Sequence, residues 1–264
     1  EEAKVLSTKA TDEELRDAFV DERGFKYSRD GKKLLKASQR LYGDYAIREG
    51  TEIICDNAFY GCYSLRSITI PKNVVTMNGN PFAGWHGTLI NESPAFVVEG
   101  NVLFNKDRST LIAFCSQVAN YIVPDGVTSI CDRAFNCCSS LRSITIPDGV
   151  TSIGNWAFLD CRSLQSITIP DSVTSIGNRA FSWCSSLQSI TIPKNVVTMN
   201  GNPFTNWHGT LINESPAFVV ERNVLFNKDR STLIAFCSQV ANYIVPDSVT
   251  SIGDSAFEDC RSLQ

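Results

Sequence analysis

Leu141–Ser163 reads LRSITIPDGVTSIGNWAFLDCRS, and Leu164–Ser186 reads LQSITIPDSVTSIGNRAFSWCSS. The two stretches share a Leu, an Ile-x-Ile-Pro, a Val, an Ile-Gly and an Ala-Phe-x-x-Cys. A self-similar period of 23 residues predicts a solenoid, in which each repeat is one coil and only its neighbours complete its core. In Leu141–Cys161 a period of two sends Ile144 and Ile146 inward and Ser143 and Thr145 outward. Pro147 has no N–H for a ladder and ends that strand. Val150 and Ile153 form a second inward pair, and Gly154 suits a turn needing positive φ. Ala157, Phe158 and Cys161 close the core through a short helical or 3₁₀ turn. Parallel strands are therefore predicted at Ser67–Ile70, Ser143–Ile146, Ser166–Ile169 and Ser189–Ile192.

Working outward, Pro124, Pro147, Pro170 and Pro193 recur every 23 residues, but Pro71 to Pro124 and Pro193 to Pro246 each span 53. Two longer coils, Ala95–Pro124 and Ala217–Pro246, fill those gaps. In each, VLFN and TLIAF flank KDRS, which reads as a β-hairpin protruding from the stack. Ala95–Val98 and Tyr121–Val123 read as regular coil strands beside it. Residues 71–130 repeat at 193–252 with four differences in 60 positions: Ala83/Thr205, Gly84/Asn206, Gly100/Arg222 and Gly126/Ser248. Residues 18–48 align as a degraded third copy. Thr11-Asp-Glu-Glu14 is a capping box, so a short helix precedes it. The expected organisation is an N-terminal extension or cap at 1–16, then a single continuous solenoid over 17–264. The longer, hairpin-bearing coils lie near 18–48, 95–124 and 217–246. It is expected to be right-handed, with a parallel sheet on its concave face, about ten coils and about 45–50 Å long.

The composition, 43% hydrophobic and 20% charged over 264 residues, is that of an ordinary globular chain. A net charge of −4 disfavours nucleic acid as a partner, since such binding draws on a strongly basic face. No run of 18 apolar residues offers a membrane span. The chain starts without Met and stops at Leu263-Gln264, where another strand is due. It reads as a trimmed product or a piece of a longer array, with a C-terminal end open to self-association.

The pattern carried by Leu141, Ile144, Ile146, Pro147, Val150, Ile153, Gly154, Ala157, Phe158 and Cys161 resembles the BspA-like, or treponemal-type, leucine-rich repeat. The likeness covers nearly everything after Asp17. Departures are Arg48 for Pro, Met77 and Met199 for Ile, and Trp85 and Trp207 for Cys. The resemblance implies a bacterial protein that is secreted, periplasmic or on the cell surface, adhering to host extracellular-matrix proteins or to other bacteria. The motif residues are core residues, so they carry the fold and not a ligand.

Binding residues must then lie between the motif positions. Outward hydroxyls form columns: Ser143, Thr145, Ser166, Thr168, Ser189 and Thr191. This face is either a ladder without a ligand or the floor of a protein-binding surface. The only histidines, His86 and His208, follow Trp85 and Trp207. They read as surface residues after a core Trp, or as a paired binding element. No nucleophile, metalloprotease or phosphate-loop pattern accompanies them, so catalysis is not expected. Lys106 and Arg108, with Lys228 and Arg230, sit on the hairpin tips and would give two equivalent sites. Lys26, Arg29, Lys32 and Lys33 belong to an N-terminal basic cluster, read as a solvated hairpin or a contact for polyanions such as sulfated glycans.

Of ten cysteines, Cys62, Cys138, Cys161, Cys184 and Cys260 share one slot and read as stacked core thiols. Cys55, Cys115, Cys131, Cys137 and Cys237 fall elsewhere, and their redox state is left open. Cys55-x6-Cys62 and Cys131-x6-Cys138 lack zinc-ligand spacing, and no cofactor or metal is expected.

Overall fold

A computed structural model describes residues 7–264. Residues 1–6, part of the expected N-terminal extension, lie outside the described residues. The chain divides into two compact units, residues 1–116 and 117–264. Each is a leucine-rich-repeat stack of short strands, parallel between coils and antiparallel within the longer ones.

The second unit holds the regular coils. Asn120–Ile122, Ser143–Thr145 and Ser166–Thr168 form one parallel sheet, with Ser143 opposite Ser166 and Thr145 opposite Thr168. The other wall is a parallel ladder of Ser129–Ile130, Ser152–Ile153, Ser175–Ile176 and Thr198–Met199. Ile144, Ile146, Val150, Ile153 and Phe158 are buried between the walls. The first sheet ends at Ser166–Thr168. Ser189–Ile192 pairs forward with Thr210–Asn213 and not back, although its SITI is identical in sequence. No residue difference accounts for that break.

Phe135, Phe158, Phe181 and Phe204 stack along the core, with centroids 4.8, 5.5 and 6.1 Å apart and rings within 11° of parallel. Their corner carries a third inter-coil ladder. Arg133, Phe135 and Cys137 donate their N–H groups to the carbonyls of Asn155, Ala157 and Leu159 at 2.8–2.9 Å. Trp156, Phe158 and Asp160 repeat this toward Asn178, Ala180 and Ser182. Left-handed residues stand at the two ends of each ladder: Arg133, Cys137, Trp156 and Asp160 have φ between 53° and 62°. The remaining N–H groups close i to i+3 turns, such as Leu159 to Trp156. These bonds are of 3₁₀ type, but the left-handed residues prevent a helix from propagating.

Gly154 does not supply the positive φ expected of it; Trp156, two residues on, does. A Cβ at Gly154 would lie 2.5 Å from the Asp132 backbone nitrogen, and one at Gly177 would lie 2.4 Å from that of Asn155. Glycine is required there by close approach of the previous coil. The next position forms a further ladder, with Asn155 N–H donating to Asp132 Oδ1 at 2.7 Å and Asn178 N–H to Asn155 Oδ1 at 2.8 Å.

The longer coils are three-stranded antiparallel meanders. Phe96–Glu99 pairs with Val102–Asn105, which pairs with Thr110–Phe114. Phe218–Glu221, Val224–Asn227 and Thr232–Phe236 repeat this. The reading of Ala95–Val98 as a regular coil strand is thus corrected: Phe96 binds its own hairpin antiparallel. The turn at Glu99 is short enough to close locally, with Asn101 at φ 65°, so the segment folds back before it can join a parallel neighbour. The hairpin strands are built into the core, and Val102, Leu103, Phe104, Leu111 and Ala113 are buried. Only the tips, residues 106–108 and 228–230, are exposed. Asn120–Ile122 is a coil strand as expected, but residues 242–245 form none.

The first unit opens with a helix, Asp12–Arg16, closed by the capping box of Thr11 and Glu14. Phe19–Val20, Lys26–Tyr27 and Lys33–Lys36 then form a short antiparallel meander, as the alignment with the later copies predicts. Phe25 stacks on Tyr45 at 3.6 Å between centroids. The Tyr27 hydroxyl donates to that of Tyr45 (2.7 Å), which donates to Asp21 (3.0 Å). Burial raises both phenols above their ordinary range.

Two stability outcomes are expected. Phe158→Ala removes the middle ring of the stack and is expected to cost about 3–5 kcal/mol in a urea titration. Gly154→Ala is expected to cost about 1–3 kcal/mol, because a methyl must push one coil off the next. A neutral result at Gly154 would reject the close-approach account.

Candidate binding surfaces

The alternation of the Ser-Ile-Thr strands holds the hydroxyl columns outward. Thr145, Ser166, Thr168 and Ser189 are exposed, and Ser143 and Thr191 are half-buried. Ser143 donates to Asn120 Oδ1 at 2.6 Å. The columns are cut where the sheet breaks after Thr168, so Asn120, Ser143 and Ser166 form one row and Ser189 and Thr210 another.

The Trp-His pairs separate. Trp85 and Trp207 are each 1% exposed, and their indole N–H groups donate to the Leu65 and Leu187 carbonyls at 2.9 and 2.8 Å. A Cβ at Gly87 or Gly209 would lie 2.4 or 2.3 Å from the indole. Both tryptophans are therefore core residues, Trp207 lying beneath a surface groove. The large ring fills the space that the smaller Cys leaves to its neighbours in other coils. His86 is half-buried and His208 is exposed.

The hairpin tips are closely alike. Asn105 Oδ1 accepts from Thr110 N–H and Asp107 from Ser109, with the same bonds at Asn227 and Asp229. Bonding to the serines holds the Asp107 and Asp229 carboxyls below their usual range. Arg108 pairs with Glu99, and Arg230 with Glu221. The arginines are neutralised, and Lys106 and Lys228 stand beside an aspartate, so the tips present little net charge.

The N-terminal basic cluster is also partly spent. Lys33 is only 9% exposed and binds Glu14 at 2.8 Å and the Lys9 carbonyl at 3.1 Å. That corrects its candidacy: it ties the helix to the stack. Burial works against the charge of Glu14, but Lys33 and the Thr11 N–H outweigh it and hold the carboxyl below its usual range. Lys32 pairs with Glu52 at 2.9 Å. Lys26 stays half-buried opposite Lys36, and Arg29 is exposed in the turn.

All ten cysteines are free thiols. Cys62, Cys138, Cys161 and Cys184 are buried, whereas Cys260 is half-buried. Cys161 and Cys184 donate to the Phe135 and Phe158 carbonyls at 3.0 and 3.1 Å. Contact with Cys161, together with burial, pushes Cys184 well up. Burial pushes Cys55, Cys115 and Cys237 up to about 12 and Cys137 up to about 11. None of these is an activated nucleophile.

A parallel-coil stack with hydroxyl faces and a buried thiol column defines a repeat scaffold of the leucine-rich class. The chain belongs to the BspA type leucine rich repeat family, whose pattern matches residues 42–112, 108–216 and 230–264. No catalytic family is indicated. A leucine rich cell surface protein from Faecalibacterium prausnitzii is 26% identical with a TM-score of 0.55, covering 86% of this chain and 59% of that one. Two further structures share the fold at 22% identity and a TM-score of 0.57. One is the pneumococcal vaccine antigen PcpA, covering 80% of this chain and 56% of that one. The other is a leucine-rich repeat protein from Eubacterium ventriosum, covering 87% and 71%. The chain thus spans less than two thirds of the first two structures. No curated protein matches it. Among the described residues no helix is long and apolar enough to cross a membrane.

Thiol labelling checks the core column. Cys138, Cys161 and Cys184 are expected to react only after denaturation. Half-buried Cys137 is expected to react in the folded state, about tenfold faster per pH unit, with the rise levelling only near its raised pKa of about 11. A plateau below pH 9 would reject the raised value.

Proposed function

We propose that the chain is a non-catalytic scaffold outside the cytoplasm that binds proteins or glycans, as a bacterial adhesin does. The observation that carries this reading is the strand face: Thr145 and Thr168 stand exposed in register beside exposed Ser166, all small and uncharged. Such a row forms a flat floor against which a partner packs with little desolvation cost, because hydroxyls both donate and accept. The cell-surface description of the F. prausnitzii protein supports the location. The near-neutral hairpin tips count against polyanions as the main partner. A second reading, self-association, is favoured by Ile244 and Ile252, which are 90% and 55% exposed in the last coil.

A panel of immobilised host extracellular-matrix proteins tests the first reading. Thr145→Arg with Thr168→Arg is expected to leave stability within about 0.5 kcal/mol and to weaken capture at least tenfold. Unchanged capture would move the site to the hairpins, where altering one tip would reduce avidity and altering both would abolish it. Light scattering across concentrations tests self-association, with Ile244→Lys and Ile252→Lys expected to restore the monomer.

A further inference from the structure

The duplication of residues 71–130 at 193–252 is nearly perfect, so its four differences are informative. Three of them replace Gly in the first copy with a polar side chain in the second: Asn206, Arg222 and Ser248. Asn206 keeps the left-handed conformation of the glycine it replaces, φ 58° against 74° at Gly84. Asn is among the few L residues that tolerate that region. Its amide spans two groups. Oriented to satisfy both, it donates to Asp259 Oδ2 at 3.1 Å and accepts from the Trp183 indole N–H at 3.2 Å.

Asn206 lines a groove of about 440 Å³ with Ser185, Gln188, His208 and Thr210, floored by Leu187 and Trp207. That volume is in the range of small-ligand clefts, about 300–1,000 Å³. Trp183, whose indole N–H donates to Asn206, stands beside the lining residues and is 40% exposed. Neither Lys nor Arg lines the groove. Partial burial lowers His208 from its ordinary value, with Asp259 opposing it. The equivalent positions in the first copy differ in kind. Gln188 corresponds to Arg66, which is paired with Asp44 at 3.1 Å, and Ser185 corresponds to Tyr63.

We infer that the Asn206–Gln188–His208 groove, bordered by Trp183, binds a neutral pyranose residue of a glycan. The exposed Gln188 amide offers a donor and an acceptor side by side, which matches vicinal hydroxyls, and Asn206 keeps a second N–H and a second lone pair. A fixed, half-exposed indole offers an apolar face for the ring's C–H groups and a polar edge. An anionic ligand would find no cation, and an apolar one would leave the amides and hydroxyls without partners. The inference rests on the binding-scaffold reading and names a ligand class and a place for it. The first copy has Gly84 and Arg66 where the second has Asn206 and Gln188, so it lacks both amides.

The test titrates the full chain with neutral hexoses, N-acetylhexosamines and their disaccharides, followed by saturation-transfer NMR and tryptophan fluorescence. Saturation transfer to one class of neutral sugar is expected at millimolar concentration. Asn206→Gly restores the residue that the first copy folds with, and Gln188→Ala lies on the exposed surface. Each is expected to weaken binding at least tenfold with unchanged circular dichroism. Trp183→Phe is expected to abolish the fluorescence change, and Arg66→Ala in the first copy is expected to change nothing. No transfer to any neutral sugar at 50 mM (about fifty times a 1 mM Kd) would overturn the inference. So would binding that survives both Asn206→Gly and Gln188→Ala, or transfer to anionic sugars alone. Matrix-protein capture that persists without sugar binding would overturn the groove and leave the scaffold reading standing.

Discussion

The peptide hydrogen bonds at the phenylalanine corner set the terms for the rest of each coil. Arg133, Phe135 and Cys137 reach the carbonyls of the next coil directly, so two coils lie in backbone contact there. Three consequences follow from that proximity. No side chain fits at Gly154 or Gly177. Residues such as Trp156 and Asp160 must adopt left-handed backbone, at about 1–2 kcal/mol each. Their side chains project to solvent, where Arg133 lies 4.5 Å over the Trp156 ring. The cost is offset because three N–H groups per coil find carbonyl partners in a buried corner.

The same ladder explains how the stack tolerates proline. Pro203 accepts from Phe181 but has no N–H to pass forward. Asn202 takes over that role: its Oδ1 accepts from Phe204 N–H, and its Nδ2 donates to the Ser255 carbonyl at 3.0 Å. One amide side chain thus replaces one peptide. This lets the stack carry a meander without leaving the corner of the following coil unsatisfied. Asn80 begins the same arrangement in the first unit, accepting from Phe82 N–H at 2.7 Å.

Much of this fold was legible because a 23-residue period writes each inward position several times. Ile144, Val150, Phe158 and Cys161 are buried as the pattern requires, and the capping box of Thr11 and Glu14 forms the helix it predicts. The period was a weaker guide wherever contact runs between coils and not along one. The glycine slot looked like a turn residue, since spacing shows that Gly is needed but not whether φ or proximity needs it. The Asp132–Asn155–Asn178 ladder was missed, although the Asp/Asn after each Ile-Gly or Ile-Cys was its visible signal. Phe96 looked like a coil strand because local alternation is the same for parallel and antiparallel pairing. Lys33 looked like a free cation because its partner, Glu14, lies on a helix outside the repeat.

The candidate sites were legible only as lists of exposed residue types, and physical reasons explain why. A solenoid spends its repeated residues on the core, so whatever specifies a ligand must sit where the repeat is broken or silent. The hydroxyl face is silent: Ser and Thr there satisfy strand propensity and solubility as well as any partner. The hairpin tips appear charged in sequence, but folding brings Glu99 to Arg108 and Glu221 to Arg230, and the charge is largely cancelled. Asn206 is a break of the other kind. It occupies a left-handed site where Gly84 costs nothing, and it spends its amide on Trp183 and Asp259, neither of which lies within the duplicated segment. A duplicated coil that gains contacts with residues outside the duplication has acquired a surface its twin cannot reproduce. On the inference of a pyranose groove, that divergence marks the ligand-facing surface more sharply than the repetition around it.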